Sequence, residues 1–295
     1  MTDAAILIPT HDHAALLPYA VQSALAQEDA DVEVLVVGDG VGDDTRVALE
    51  PFVTDPRVRF FDREKGERHG EQLRHEALQE STAPLVAYLS DDDLLLPDHV
   101  VRMRRLLAGA DVARGLPVHV TASGELEYHP FDLAVPEFRA LLARGLVGGA
   151  LTGISHTRAL YDRLPDGWSP APADVPTDIH MLRKLIAPPG IRGATDDRVT
   201  ALIFPSPLRA QMTADERAAE LAHWWRRMHE LRFRTELDDA VGVAAARAAR
   251  RQRLKVAALQ GELARIQASR WWRARRAVAE VRPVRALRAR RHGGR

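Results

Sequence analysis

Three carboxylates stand side by side at Asp91-Asp92-Asp93. Adjacent carboxylates repel, so ionising all of them is costly unless a cation shares the site. A hard divalent ion, Mg2+ or Mn2+, suits such a run: it prefers oxygen ligands, takes few from protein, and completes its shell with water or phosphate oxygens. A diphosphate leaving group is the chemistry such an ion serves, because it neutralises charge on the departing oxygens. The same run also reads as a solvated turn that caps the next helix, where Asp is favoured. Topology decides between the two.

Residues 4–10 form a short apolar run of the kind a buried parallel strand shows, halted at Pro9. Leu16, Leu17, Ala20, Val21, Ala24 and Leu25 then recur at helical spacing, which predicts a helix over 13–27. Strands are predicted at 32–37, 58–61 and 84–89, with helices at 43–52 and 71–80 between them. This alternation is the signature of a parallel sheet wound by right-handed crossovers. Ligands bind such sheets beyond the carboxyl ends of the strands. Thr10 and Asp12 follow the first strand, Asp39 the second and Asp91 to Asp93 the fourth, so the polar residues share one topological position.

Beyond residue 93 the pattern predicts a helix over 94–110, short antiparallel strands within 115–133 and a helix over 138–146. A Pro-rich loop over 165–176 follows, long enough to suggest function. A helix over 178–186, a last strand at 200–204 and helix almost to the end complete the reading. The division expected is 1–110 for the first half of an α/β domain, 111–210 for its second half, and 211–295 for a helical basic extension.

Residues 4–110 resemble the nucleotide-binding half of glycosyltransferase family 2, which has the GT-A fold. The resemblance rests on Ile6-Leu7-Ile8-Pro9-Thr10-His11-Asp12, on Gln22 to Gln27, on Val34-Leu35-Val36-Val37-Gly38-Asp39-Gly40, and on Val86 through Asp93 to Pro97, in that order. It implies an α/β GT-A-type fold with a mainly parallel central sheet flanked by helices. It implies inverting transfer of a hexosyl or deoxyhexosyl group from a nucleoside diphosphate sugar to an acceptor hydroxyl, with Mg2+ or Mn2+ as cofactor. Cell-surface polysaccharide or glycoconjugate synthesis is the expected setting, with a saccharide or lipid-linked acceptor.

Carried over residue by residue, the resemblance gives Asp39 the nucleotide base, Asp91 the ribose side and Asp92 the metal. Pro9, Thr10 and Asp12 line the nucleotide. Gly38 and Ser90 stand where the family often has acidic residues, which keeps Asp93 as an alternative ligand. Lys65, Arg68 and Arg74 fall where a diphosphate contact is expected, and Arg74 is preferred for its bidentate fork; a solvent-facing helix charge is the other reading. Inverting transfer needs a base for the acceptor proton. The resemblance assigns it to Asp178, with Asp174 as the alternative, while a helix-cap role fits Asp178 equally well. His156, His11 and His13 read as structural or loop histidines more readily than as functional ones.

The zero net charge hides an asymmetry. From Arg247 to Arg295 there are 16 Lys and Arg against Glu262 and Glu280, which leaves 25 basic and 39 acidic residues ahead of them. A body of net −14 therefore precedes a tail of +14. Small and apolar residues at heptad-like spacing over 245–266 would suit body packing or a homodimer contact. Trp271-Trp272 among arginines over 270–291 suits an anionic membrane surface. A protein partner ranks second; nucleic acid, which the acidic body argues against, ranks last.

The chain has no cysteine, which removes thiolate sites and disulfides. It has neither a signal-peptide pattern nor an apolar run of roughly 18 residues, so the expectation is a cytoplasmic protein, peripheral at the inner membrane face through its tail. A nucleotidyltransferase would share the sheet and the metal. It should carry a Gly-rich basic loop after the first strand, and Pro9 to His13 has neither glycine nor lysine. A non-catalytic nucleotide-binding module using its tail for assembly would be favoured if Asp178 lay far from the acidic run.

Overall fold

The computed structural model describes residues 2–129, 131–269 and 272. The first half winds as β1 (Ala4–Thr10), α1 (Leu17–Leu25), β2 (Val32–Asp39), α2 (Asp43–Leu49), β3 (Val58–Arg63), α3 (Glu71–Gln79) and β4 (Leu85–Tyr88). Then come β5 (Leu94–Leu95), α4 (His99–Leu107), β6 (Val112–Arg114), β7 (Val118–Val120), β8 (Leu126–Tyr128), α5 (Pro136–Ala143), β9 (Ile154–Thr157), α6 (Arg158–Tyr161) and α7 (Thr177–Ile186). The remainder is β10 (Gly193–Thr195), β11 (Ala201–Leu202), a 3-10 turn (Ser206–Arg209), α8 (Ala214–Met228) and α9 (Phe233–Ala268).

Seven strands form one sheet in the order β10-β6-β9-β4-β1-β2-β3. All neighbours are parallel except β9, which runs antiparallel to both β4 and β6. The apolar run of β1 is continuous because both faces of the sheet are covered. Ala5 and Leu7 face one buried cluster with Ala77 and Leu78 of α3, while Ala4, Ile6 and Ile8 face another with Leu17, Ala20, Val21 and Ala24 of α1.

One expectation is corrected here. Residues 94–96 are not helical: Leu94 and Leu95 pair with Leu202 and Ala201, and α4 begins only at His99. The three leucines are buried on all sides there, a pattern that periodicity does not separate from a helix start. β9, between β6 and β4 in the middle of the sheet, had no counterpart in the sequence reading. Its sequence Ile154-Ser155-His156-Thr157 has no apolar run, because polar partners satisfy it: Ser155 Oγ meets His99 Nε2 at 3.2 Å, and Tyr88 Oη meets His156 Nε2 at 2.8 Å.

Residues Met1–Ala244 form one compact unit. The helical extension expected from residue 211 thus begins inside it: Leu221, Trp224 and Met228 of α8 and Phe233, Leu237 and Val241 of α9 are buried with Leu94, Val118 and Phe204. Residues 245–295 form a second unit, of which the described part is a helix whose Leu254, Val256, Leu259, Leu263 and Ile266 are exposed. The tryptophan-arginine tail expected to bind membrane, 270–291, lies outside the described residues apart from position 272. Among the described residues no helix is long and apolar enough to cross a membrane.

Candidate functional site

The carboxyl ends of β1, β2 and β4 converge with the starts of α3 and α7 and with the 3-10 turn. Between them lies a cavity of about 520 Å3, lined by Pro9, Thr10, His11, Asp12, His13, Asp39, Lys65, Arg68, Arg74, Ser90, Asp91, Asp92, Asp178 and Ser206 among others. Neither Asp93 nor Asp174 is among the lining residues; Asp174 is exposed on the Pro-rich loop.

Asp39 ends β2 and is gripped by the segment that follows β3. Its Oδ1 accepts the Gly66 N–H at 2.6 Å and its Oδ2 accepts Lys65 Nζ at 2.5 Å. Its backbone carbonyl accepts from His11 Nδ1 at 2.7 Å. Gly70 closes this wrap in the left-handed region, φ +69°, where a Cβ would lie 2.7 Å from the Asp39 carboxylate carbon. Only glycine fits both demands.

The acidic run splits in two. His13 Nδ1 donates to Asp91 Oδ1 at 2.8 Å, and this bond holds the imidazole pKa above its ordinary value against the effect of burial. Asp92 Oδ2 accepts from Ser206 Oγ at 2.6 Å and from Arg217 Nη2 at 2.7 Å. Arg217, from the first turn of α8, also reaches His13 Nε2 at 3.3 Å. Burial first and the Asp91 charge second raise the Asp92 pKa. Asp93 is different: Phe204 N–H donates to its Oδ1 at 2.7 Å and Thr152 Oγ1 to its Oδ2 at 2.6 Å. It is buried, its pKa is pushed well up by burial and then by Asp92, and it ties β4 to the β9 and β11 side of the fold.

Ligand atoms of His13, Asp91 and Asp92 lie within 4.8 Å of one another. One imidazole and two carboxylates fit Mg2+ or Mn2+, which need only a few protein ligands. Arg217 is drawn to the same carboxylate, so it shares with any bound ion the task of offsetting repulsion between Asp91 and Asp92.

Arg74 is not a solvent-facing helix charge. Only 9% of it is exposed, its guanidinium stacks 4.7 Å from the Trp168 ring centroid, and Nη2 donates to the His69 carbonyl at 2.8 Å. Its Nε is buried without a hydrogen-bond partner among the described residues. Burial lowers its pKa, against the charges of Asp178, Glu71, Asp39 and Asp91.

Asp178 lies in the first turn of α7 but does not cap it; the cap position is Pro176, and Asp178 Oδ2 instead accepts the Leu151 N–H at 3.2 Å. Burial raises its pKa, with the Arg74 charge opposing. Glu71 at the start of α3 fixes this corner. It is fully buried and accepts from Thr177 Oγ1 at 2.8 Å and from the His69 N–H at 3.0 Å. His156 is structural: Tyr88 and the Thr157 carbonyl satisfy both its nitrogens, and burial takes its pKa down to about 4.

Sequence reasoning missed His13 as a partner of the acidic run, and Arg217 and Ser206 altogether. His13 had a usable signal, since it sits beside Asp12 just past β1. Arg217 had none: it is one of many charges on an amphipathic helix, 125 residues from Asp92.

Comparison with known proteins bears on the family and the fold. A succinoglycan biosynthesis protein, ExoO, of Rhizobium meliloti is 34% identical over 111 residues, 38% of this chain and 30% of that protein. The chain thus matches about a third of that relative's length. Among solved structures, S. aureus TarS 1-349 in complex with UDP-GlcNAc superimposes with a TM-score of 0.58 at 15% identity, over 69% of this chain and 58% of that one. The mannosyltransferase PcManGT of Pyrobaculum calidifontis, in complex with GDP-Man and Mn2+, gives 0.50 at 20% identity over 92% and 82%. These likenesses establish the GT-A-type fold. Residues 5–163, more than half of the chain, match the model of glycosyl transferase family 2, and the chain belongs to that family.

Proposed function

We propose that this chain moves a sugar from a nucleoside diphosphate sugar to an acceptor hydroxyl, with inversion and with Mg2+ or Mn2+, in polysaccharide or glycoconjugate synthesis. One observation carries the reading: the nucleotide-binding candidates Pro9, Thr10, Asp12, Asp39, Arg74 and Asp91, the metal candidate Asp92 and the base candidate Asp178 line a single cavity. A remote Asp178 would have favoured the non-catalytic reading; Asp178 instead lines the same cavity as Asp91 and Asp92. Complexes of similarly folded proteins with UDP-GlcNAc, and with GDP-Man and Mn2+, support the same assignment of donor class and ion.

In this reading Asp39, braced by Lys65 and Gly66, faces the nucleotide base, and Pro9, Thr10 and Asp12 border the nucleoside. Asp91, Asp92 and His13 would hold the ion, which when bound supplies charge neutralisation to the diphosphate. Arg74, held by Trp168 and the His69 carbonyl, presents fixed positive charge that needs no reorganisation as the leaving group departs. Asp178 takes the acceptor hydroxyl proton while that oxygen bonds to the anomeric carbon and the carbon–phosphate-oxygen bond breaks, its electron pair leaving with the diphosphate. Raised by burial, its pKa is closer to working pH, which suits a general base. Hexosyl or deoxyhexosyl transfer, a saccharide or lipid-linked acceptor, membrane attachment through 270–291 and a homodimer through 245–266 remain part of the proposal.

The test is a thermal-shift titration with UDP, GDP and dTDP, with and without Mn2+. At least one should stabilise the protein in a Mn2+-dependent manner, and Asp92→Asn should abolish the Mn2+ dependence. If none stabilises it and Asp92→Asn changes nothing, the reading is wrong.

A further inference from the structure

A second cavity, of about 270 Å3, is bordered by the strap Gly148-Gly149-Ala150 and by His119 of β7 and His129 just past β8. Its lining includes Arg114, His119, Phe131 and Phe138. Arg114 ends β6 and is only 2% exposed. Its Nε donates to the Gly115 carbonyl at 3.2 Å, and its guanidinium lies 4.3 Å from the Phe131 ring centroid. Among the described residues no carboxylate comes within 4.0 Å of it. Every other arginine of comparable burial in this fold is matched: Arg209 is paired with Glu220, and Arg74 feels the charges of four carboxylates.

A buried cation without a counter-ion is costly, and an anionic ligand would offset that cost. Burial takes the Arg114 pKa down to about 9, so the group stays charged at neutral pH. His119, whose ring lies tilted against that of His129 with centroids 3.9 Å apart, is driven down to about 4 by burial and then by the neighbouring His129 and Arg114 charges. It is therefore neutral there and able to hydrogen-bond. The cavity offers a guanidinium fork, an imidazole and aromatic walls, a combination suited to an oxyanion carried on a sugar or a short chain.

Its position gives it a role. Ala150 lines this cavity, while the next residue, Leu151, holds Asp178 through its N–H. A Cβ on Gly148 would meet Ile179 Cδ1 at 2.5 Å, so the strap lies directly on the start of α7. We infer that this cavity is an acceptor subsite that binds an anionic group, a phosphate ester or a sugar carboxylate, through Arg114, and thereby presents the acceptor hydroxyl toward Asp178. The inference rests on the transferase reading above and extends it to the charge of the acceptor.

The experiment is a thermal-shift titration of the full chain with inorganic phosphate and with glucuronate at matched ionic strength, glucose serving as the neutral control. It is run on the wild type, on Arg114→Met, and on Gly149→Ala. The added methyl of Gly149→Ala would press on the Phe131 ring at 2.8 Å and lie 3.6 Å from Arg114 Nη1, narrowing the cavity without removing the cation. Phosphate or glucuronate should stabilise the wild type, glucose should not, and both variants should weaken the effect at least tenfold; the anion that acts identifies the source of the oxyanion. Equal anion shifts in wild type and variants, or none in the wild type, overturn the inference. Should Arg114→Met not fold, Gly149→Ala carries the test. Mn2+-dependent nucleoside diphosphate binding, measured on the same proteins, should be untouched by either substitution. Its absence from the wild type would count against the transferase reading alone.

Discussion

Arg217 Nη2 lies 2.7 Å from Asp92 Oδ2, with both side chains about seven-eighths buried. The guanidinium comes from a helix outside residues 5–163, and it balances a carboxylate that would hold the ion. Arg217→Gln leaves Asp91 and Asp92 facing each other without it, which should cost about 2 kcal/mol, the scale of a lost hydrogen bond to a charged group. A divalent ion can replace the missing charge. Mn2+ alone should therefore raise the melting temperature of Arg217→Gln by more than that of the wild type. Equal Mn2+ shifts in the two proteins would show that Arg217 and the ion do not share Asp92.

Asp178 and Asp174 lie close in sequence but not in environment. Asp178→Asn should reduce kcat by roughly 10^2 to 10^4, the range of general-base contributions, and leave nucleoside diphosphate affinity within a few-fold. Asp174→Asn, on the exposed loop, should change neither. Burial raises the Asp178 pKa, and the base must be ionised, so the acidic limb of the kcat profile should fall at a higher pH than an ordinary carboxylate gives. The limb should vanish in the residual activity of Asp178→Asn.

The first half of the fold was legible because β1, β2 and β4 are buried on both faces and so read as unbroken apolar runs, and because their polar residues stand just past each strand. The second half was not. β9 carries Ser155 and His156 into the middle of the sheet, where Tyr88 and His99 satisfy them, and no periodicity announces a strand whose polar groups are paired by distant residues. The site divides in the same way. That Asp39, Asp91 and Asp92 face one cavity could be read from their place after strands. The exclusion of Asp93 from the cavity depends on Thr152 and Phe204, and the pairing of Asp92 with Arg217 on the docking of α8; both are tertiary facts with no local trace.

Gly70 is the position where the wrap around Asp39 has least tolerance. Gly70→Ala adds a methyl where the Asp39 carboxylate stands and forces a non-glycine residue to φ +69°. A loss of about 1–2 kcal/mol in stability is expected from the backbone conformation alone. Displacement of Asp39 should also weaken nucleoside diphosphate binding about tenfold, since a factor of ten corresponds to 1.4 kcal/mol. Urea midpoints and calorimetric titration separate the two effects. A destabilised protein with unaltered nucleotide affinity would mean that Asp39 does not meet the base.

Acid should unfold this protein through its buried histidines. Burial takes the pKa of His99 down to about 3 and those of His119 and His156 to about 4, whereas an unfolded histidine titrates near 6.5. Near pH 5 the unfolded chain therefore binds a proton at each that the folded chain does not. The stability these groups contribute is complete above about pH 6.5 and is lost as pH falls toward their folded values, at up to about 1.4 kcal/mol per pH unit for each. The raised carboxyls of Asp93 and Asp178 run the other way, since there the folded state holds the extra proton and stability falls as pH rises above the ordinary carboxylate range. The raw slope mixes both kinds of group, but a difference between variants isolates one. His156→Gln, at matched urea and temperature, should take up about one proton fewer on unfolding at pH 5 than the wild type. An unchanged uptake would mean that His156 is already charged in the folded protein, and that its bond from Tyr88 Oη to Nε2 is not made as described.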